Sequence, residues 1–288
     1  MARDENVRIF QDTEKRVKED PGLQEAVKRS VAEQVLIPEM MEVTDLMPEL
    51  AQNRDRYEKD AEIIVSKKRS YEAAAGYPGE RVCVHNFASA TNPGGGVTKG
   101  SSAQEECLCR CSTLYFCLNT KEMWAGFYSP HRYAQDPIHN DDCIYTPEVI
   151  VFKSDTASPS PLPEKDWYSV NVITCAAPNL RLLPANGMNP GDGNKTVKMT
   201  RAQQQALHEK RLTRILVVAV AGGNEVVILG AFGCGAFEND PEAVAAAFSN
   251  VIARYRKCFK TIELAIYCSP RDEQNYNIFK REIDTTLR

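Results

Sequence analysis

Three consecutive glycines, Gly94, Gly95 and Gly96, are followed after seven residues by Gln104-Glu105-Glu106. Backbone without side chains lets a ligand lie against the main chain. Two adjacent carboxylates at a helix start can hold a hydroxyl, move a proton or cap the helix. Ser102 stands three residues before Glu105, so a capping box would account for Glu105 alone. It would not account for Glu106, because neighbouring helical residues point ~100° apart. A catalytic acid needs a raised pKa. Burial and a second carboxylate raise it, whereas the helix N-terminus lowers it.

A second glycine run, Gly233-Cys234-Gly235-Ala236-Phe237, follows an apolar stretch at 226–232 and precedes Asp240-Pro241. That last pair has the chemistry of an N-cap with proline in the first turn. Main-chain N–H groups beside a helix start suit phosphate. The same glycines would equally serve a tight strand-to-helix turn. The run is neither a Walker loop nor Gly-x-Gly-x-x-Gly, which argues against ATP hydrolysis and nicotinamide binding. His131, His139, Asp141, Asp142 and Cys143 match no zinc spacing and read as a polar loop. Cys107 and Cys111 share a helix face and read as core rather than ligand. No nucleophile elbow is present. Cys234 is the one thiol placed like a nucleophile, but its loop reads better as a phosphate cradle.

The elements that must position these residues can be read from periodicity. Residues 81–87 predict a strand entering the first glycine loop, and 102–118 a helix leaving it. Residues 226–232 predict a buried strand feeding the second loop. Further strands are expected at 63–65, 143–152 (broken by Pro147), 167–177 and 261–268, and helices at 70–75, 196–221 and 273–283. Residues 119–147 read as irregular, and 181–195 as a long loop. Residues 6–36 read as helix interrupted at Pro21-Gly22, and 37–60 as mostly loop with short helix. From Ile63 onward strands and helices alternate, which argues for a three-layer α/β/α sandwich. The expected organisation is an N-terminal helical extension at 1–60 and a single globular unit at 61–288.

Composition closes off several classes. At 288 residues the chain suits one large α/β domain or two small ones. A net charge of −4, with charges mixed in sign, gives no basic groove for nucleic acid. No apolar run approaches the ~20 residues of a membrane helix, and the polar start does not read as a secretory signal. The 10 cysteines are scattered, and Cys83, Cys175 and Cys268 sit in strand patterns. They are expected reduced, in a cytoplasmic protein without a disulfide framework.

Gly-Gly-Gly-x7-Gln-Glu-Glu at 94–106 resembles the signature of the poly(ADP-ribose) glycohydrolases. The flanking Asn86-Phe87-Ala88-Ser89-Ala90-Thr91-Asn92-Pro93 is similar to the shorter, bacterial-type members. Segments at 144–152, Ala176-Ala177-Pro178-Asn179 and 230–241 resemble further family segments in the same order, so the likeness spans roughly 7–285. The resemblance implies a macrodomain fold and an ADP-ribose pocket. It implies Glu106 as catalytic acid and Glu105 as the holder of a ribose hydroxyl at the scissile bond. It places Gly94, Gly95, Gly96 and Val97 along the terminal ribose and diphosphate, with Gln104 beside them and Asn92 on that ribose. Gly233, Cys234, Gly235 and Ala236 would wrap the diphosphate, and Phe237 would pack on the ribose. Asn179 and Phe279 are the expected adenine contacts. No metal or organic cofactor is implied. The expected partner is ADP-ribose, free or on protein or polymer, with no membrane; nothing indicates an oligomeric state. Two rivals share the pocket: a mono-ADP-ribosyl hydrolase acting on a side chain such as arginine or on a nucleobase, and a reader without turnover. Retention of both glutamates argues against the reader.

Overall fold

The computed structural model describes residues 2–42, 45, 54–187, 190–269 and 271–287. The loop and short helix expected at 43–44 and 46–53 lie outside these residues. Two helices open the chain, α1 (Ala2–Glu19) and α2 (Pro21–Glu33). Asp20 caps α2, its Oδ1 accepting from the N–H groups of Gly22 and Leu23 at 2.8 and 3.0 Å. The chain then turns extended instead of continuing as helix and loop. Val35–Ile37 (β1) joins the sheet, because an apolar, β-branched run before Pro38 disfavours helix and Ile37 has a core to enter.

The remaining elements are β2 (Glu62–Ser66), α3 (Ser70–Ala74), β3 (Val82–Phe87), α4 (Gln104–Cys111), α5 (Leu114–Leu118), α6 (Ser129–Ala134), β4 (Cys143–Val151), β5 (Tyr168–Cys175), α7 (Arg201–Ala221), β6 (Val226–Leu229), α8 (Pro241–Tyr255), β7 (Thr261–Ala265) and α9 (Gln274–Thr286). Among the described residues one seven-stranded sheet forms, in the order β1-β4-β5-β3-β6-β7-β2. β5, β3, β6, β7 and β2 are mutually parallel, and β4 runs against β5 and β1. Side chains alternate between two cores, as strand geometry demands. Val226 and Ile228 face the core under α1, α3, α4 and α5, whereas Val227 and Leu229 face that of α7, α8 and α9. This is the expected three-layer arrangement. Parallel strands β5, β3, β6 and β7 all end on one edge, where open α/β sheets bind ligands.

Several local expectations shift. The helix after the first loop begins at Gln104, with Ala103 as a cap lacking a side-chain bond, so Ser102 forms no capping box with Glu105. Glu105 and Glu106 are therefore its second and third residues. The helix breaks at Ser112, which is extended and bridges Val151, while Thr113 bonds Ile150 in both directions. Residues expected to be irregular are helical from Lys121, through a π turn at Trp124–Tyr128, into α6. Thr120 caps that segment and Phe127 and Tyr128 bury its apolar face. Pro147 appears as a bulge: the register shifts between Thr146 and Val149, and Glu148, at φ 52°, donates its N–H to Asn171. α7 starts at Arg201 rather than 196, set by a Thr200–Gln203 capping box. The 10 cysteines are free, and among the described residues no helix is long and apolar enough to cross a membrane.

Candidate active site

A cavity of about 1010 Å³ opens at the carboxyl ends of the parallel strands. The first glycine loop, the start of α4 and the second glycine loop all contribute to its wall. Gln104 fastens α4 to the sheet. Its Oε1 accepts from the Phe87 N–H at 2.9 Å, and its Nε2 donates to His85 O at 2.7 Å and Ser70 Oγ at 3.0 Å. With that anchor in place, the two glutamates point down into the cavity floor.

Glu105 and Glu106 are 3% and 7% exposed, so both carboxyls are withdrawn from solvent. Glu105 accepts from the Ser89 N–H at 2.7 Å and from Asn86 Nδ2 at 3.3 Å. Burial, reinforced by the charge of Glu106, pushes its pKa up to about 8. Glu106 Oε1 accepts from the Gly96 N–H at 2.8 Å, and its Oε2 has no partner. Burial raises its pKa too, against the pull of that N–H and of Arg110. Burial thus favours the protonated form of both carboxyls, the direction acid catalysis requires. Turnover should fall at alkaline pH, as the buried carboxyls ionise. Glu105→Gln leaves Glu106 to titrate alone, raised by burial without a second carboxyl beside it, so the alkaline limb then reports Glu106. Rate profiles of the two proteins check this.

Gly95 makes the close approach possible. It sits at φ 57°, and a Cβ there would lie 2.5 Å from Glu106 Oε1 and 3.1 Å from Glu105 Oε2. Across the cavity, the second loop presents a different surface. Among the described residues the N–H groups of Gly235, Ala236 and Phe237 donate to no protein acceptor. Successive N–H groups without a protein acceptor, beside the start of α8 with Asp240 as its expected cap, have the chemistry to hold an anion.

Nine of the expected site residues line the cavity: Gly95, Gly96, Gln104, Glu105, Glu106, Gly233, Gly235, Ala236 and Phe237. The others do not reach its wall. Gly94 packs against Tyr115, and Val97 is fully buried beneath the loop. Asn92 lends its Oδ1 to Arg132, whose Nε holds Thr91 O at 2.6 Å. Cys234 turns its thiol inward, and burial pushes the thiol pKa up, so it is no nucleophile. Asn179 is fully buried, with its amide spent on Asp192, Pro184 O and Arg181. Phe279 is corrected outright: it is fully buried in the α8–α9 core, edge-on to Phe248, and has no face toward the cavity. The polar loop also has its own work. His139 holds Ala177 O, and Asp141 pairs at 2.9 Å with the buried Arg211, which binds Ala176 O and so sets the exit of β5.

Sequence reasoning missed other wall residues: Ser89, Arg69, Tyr267, Asn275 and, from α1, Arg3 and Asn6. Tyr267 lies just past a parallel strand end and was findable by that rule. Asn6 donates to Gly100 O at 3.1 Å, a contact across 94 residues that no local pattern signals.

Comparison with known proteins settles the family. The family model for the microbial-type PARG catalytic domain matches residues 5–154. The chain belongs to this family. As a microbial-type PARG it is similar over nearly its whole length to poly(ADP-ribose) glycohydrolase from Thermomonospora curvata, at 28% identity and a TM-score of 0.82, covering 97% of this chain and 100% of that one. The same enzyme bound to the inhibitor ADP-HPD matches at 27% identity and 0.76, covering 96% and 98%. The enzyme from Deinococcus radiodurans in complex with ADP-ribose matches at 28% identity and 0.75, covering 90% and 97%. No curated protein sequence matches the chain. The mixed seven-stranded sheet of this microbial-type PARG is thus the macrodomain-like fold of those enzymes.

Proposed function

We propose that this enzyme hydrolyses the ribose–ribose O-glycosidic bond of poly(ADP-ribose) and releases ADP-ribose. The observation that carries this is one cavity lined both by two buried carboxyls and by a loop whose Gly235, Ala236 and Phe237 N–H groups meet no protein acceptor. The solved relatives, one with ADP-ribose and one with an inhibitor, support the same occupant. The N–H groups of Gly235, Ala236 and Phe237 take the diphosphate. Phe237 closes over the terminal ribose, whose hydroxyl is held by Glu105. The adenine lies at the β7 end of the cavity, by Tyr267 and Asn275, in place of the contacts first expected at Asn179 and Phe279. Arg69 stacks on the Tyr267 ring at 3.9 Å and stiffens that wall.

The reaction passes through an oxocarbenium-like sugar. Glu106, protonated through its unpartnered carboxyl oxygen, gives its proton to the leaving ribose oxygen. As a carboxylate it then takes a proton from water attacking the same carbon. One glutamate serves both steps, and the diphosphate held alongside stabilises the cationic sugar.

Two measurements test this. Free ADP-ribose at a hundred times its Kd should stabilise the fold by ~2.7 kcal/mol, read as a rise in Tm. Rates on poly(ADP-ribose) and on mono-ADP-ribosylated arginine separate the leaving groups. Cleavage of polymer and not of arginine is expected. Cleavage of arginine alone would replace the polymer assignment with the mono-ADP-ribosyl one, and binding without any cleavage would leave a reader.

A further inference from the structure

The diphosphate cradle hangs on a side chain that takes no part in the chemistry. Asn239 is 2% exposed and sits just beyond the loop, before α8. Its Nδ2 faces Pro178 O at 2.8 Å, Gly233 O at 3.1 Å and Phe237 O at 3.3 Å. Its Oδ1 meets Nε2 of His208, on α7, at 2.8 Å. Three carbonyls on one side demand the amide NH2 there, so the oxygen faces His208, and Nε2 must carry the ring proton. The other ring nitrogen, Nδ1, is buried without a partner, and burial keeps the ring neutral by lowering its pKa to about 4. A reversed amide would set its oxygen against three carbonyls and its NH2 against an N–H. The three carbonyls therefore fix the amide orientation, and the His208 Nε2–H completes its hydrogen bonding from the other side.

The grip has a consequence for the loop's polarity. Asn239 Nδ2 shares the Gly233 and Phe237 carbonyls with the backbone N–H groups of Asn239 at 3.1 Å and Leu180 at 2.9 Å, so both carbonyls are bonded within the protein. The N–H groups of Gly235, Ala236 and Phe237 are left to face a ligand. Contact is close: Gly233, at φ 77°, lies so near that a Cβ there would be 2.7 Å from Asn239 Nδ2 and 2.7 Å from Ala177 Cβ. The same amide ties the exit of β5, through Pro178, to the exit of β6.

We infer that His208 and Asn239 are a positioning pair that holds the Gly233–Phe237 loop in its diphosphate-binding conformation, so that diphosphate affinity is set from α7. This rests on the ADP-ribosyl reading of the cavity, but it concerns the diphosphate alone, and ADP is a sufficient probe.

Three variants of the whole chain separate positioning from general stability. His208→Phe removes the donor while keeping a ring beside Phe232, which packs 5.4 Å away. His208→Gln restores a donor near the Nε2 position. Asn239→Asp keeps the shape and loses both N–H donors. By calorimetry, ADP binding should weaken ~10-fold in His208→Phe and more in Asn239→Asp, with Gln recovering to within ~3-fold of wild type. On polymer, KM should rise with the loss of affinity while kcat stays within ~2-fold. A merely structural role would lower the active fraction, reducing apparent kcat and leaving KM unchanged. The pair is overturned if His208→Phe binds ADP as tightly as wild type, if Gln does no better than Phe, or if the wild-type chain binds no ADP. A wild-type chain that binds ADP in this pattern yet cleaves no polymer would sink the hydrolase reading and leave the pair standing.

Discussion

Glu106→Gln should lower polymer turnover by at least ~10³-fold while ADP-ribose binding stays within a few-fold of wild type. Glutamine keeps the shape and can still accept the Gly96 N–H bond, which spans 2.8 Å in the native site. What it cannot do is give a proton to the leaving oxygen or take one from water. In the proposed mechanism both steps pass through Glu106, so no second carboxylate covers the loss. Glu105 is tied by Ser89 and Asn86, and in the proposed mechanism it holds a ribose hydroxyl. Measured as initial rates of ADP-ribose release beside binding titrations, the result is a deep loss in kcat with little change in Kd. Parallel loss of binding would mean that Glu106 shapes the pocket instead of doing chemistry.

The second large effect comes from a residue with no side chain. Gly95→Ala should reduce kcat/KM by ~10²-fold or more, through two additive insults. The native φ of 57° is left-handed and costs alanine ~1–2 kcal/mol. The new methyl group would also sit 2.5 Å from Glu106 Oε1, so the catalytic carboxyl must move. Displacing the acid by ~1 Å is enough to account for the loss. Gly235→Ala is the contrast. Nothing lies within 4 Å of a Cβ there and its φ is ordinary, so the fold should keep its Tm. Melting curves and rates on the two variants distinguish strain at the acid from crowding at the cradle.

The site was legible where physics is local. Glycine before a pair of carboxylates, and glycine between a buried strand and an Asp-Pro cap, are patterns set by a few neighbouring residues. Both loops line one cavity, and the Asp240 cap falls where its sequence put it. The first cap did not. Ser102 has the right chemistry, yet the helix starts at Gln104, whose side chain is held by two bonds to β3 and one to Ser70 of α3, residues far back in the chain. Phe279 illustrates a second limit. A helix pattern shows that a phenylalanine is buried, but which core receives it depends on how α9 packs on α8. β1 and the helical run through Trp124 were missed for the same reason: Val35–Ile37 becomes a strand only because β4 offers an edge. The roles of Asn239 and His208 were invisible altogether, since 31 residues separate them and neither carries a motif.

The most direct test of the account is to incubate the wild-type chain with purified poly(ADP-ribose) and resolve the products by chromatography. Monomeric ADP-ribose should accumulate, with a rate of release that declines at alkaline pH as the buried carboxyls ionise. Polymer left intact by a protein that binds ADP-ribose would contradict it.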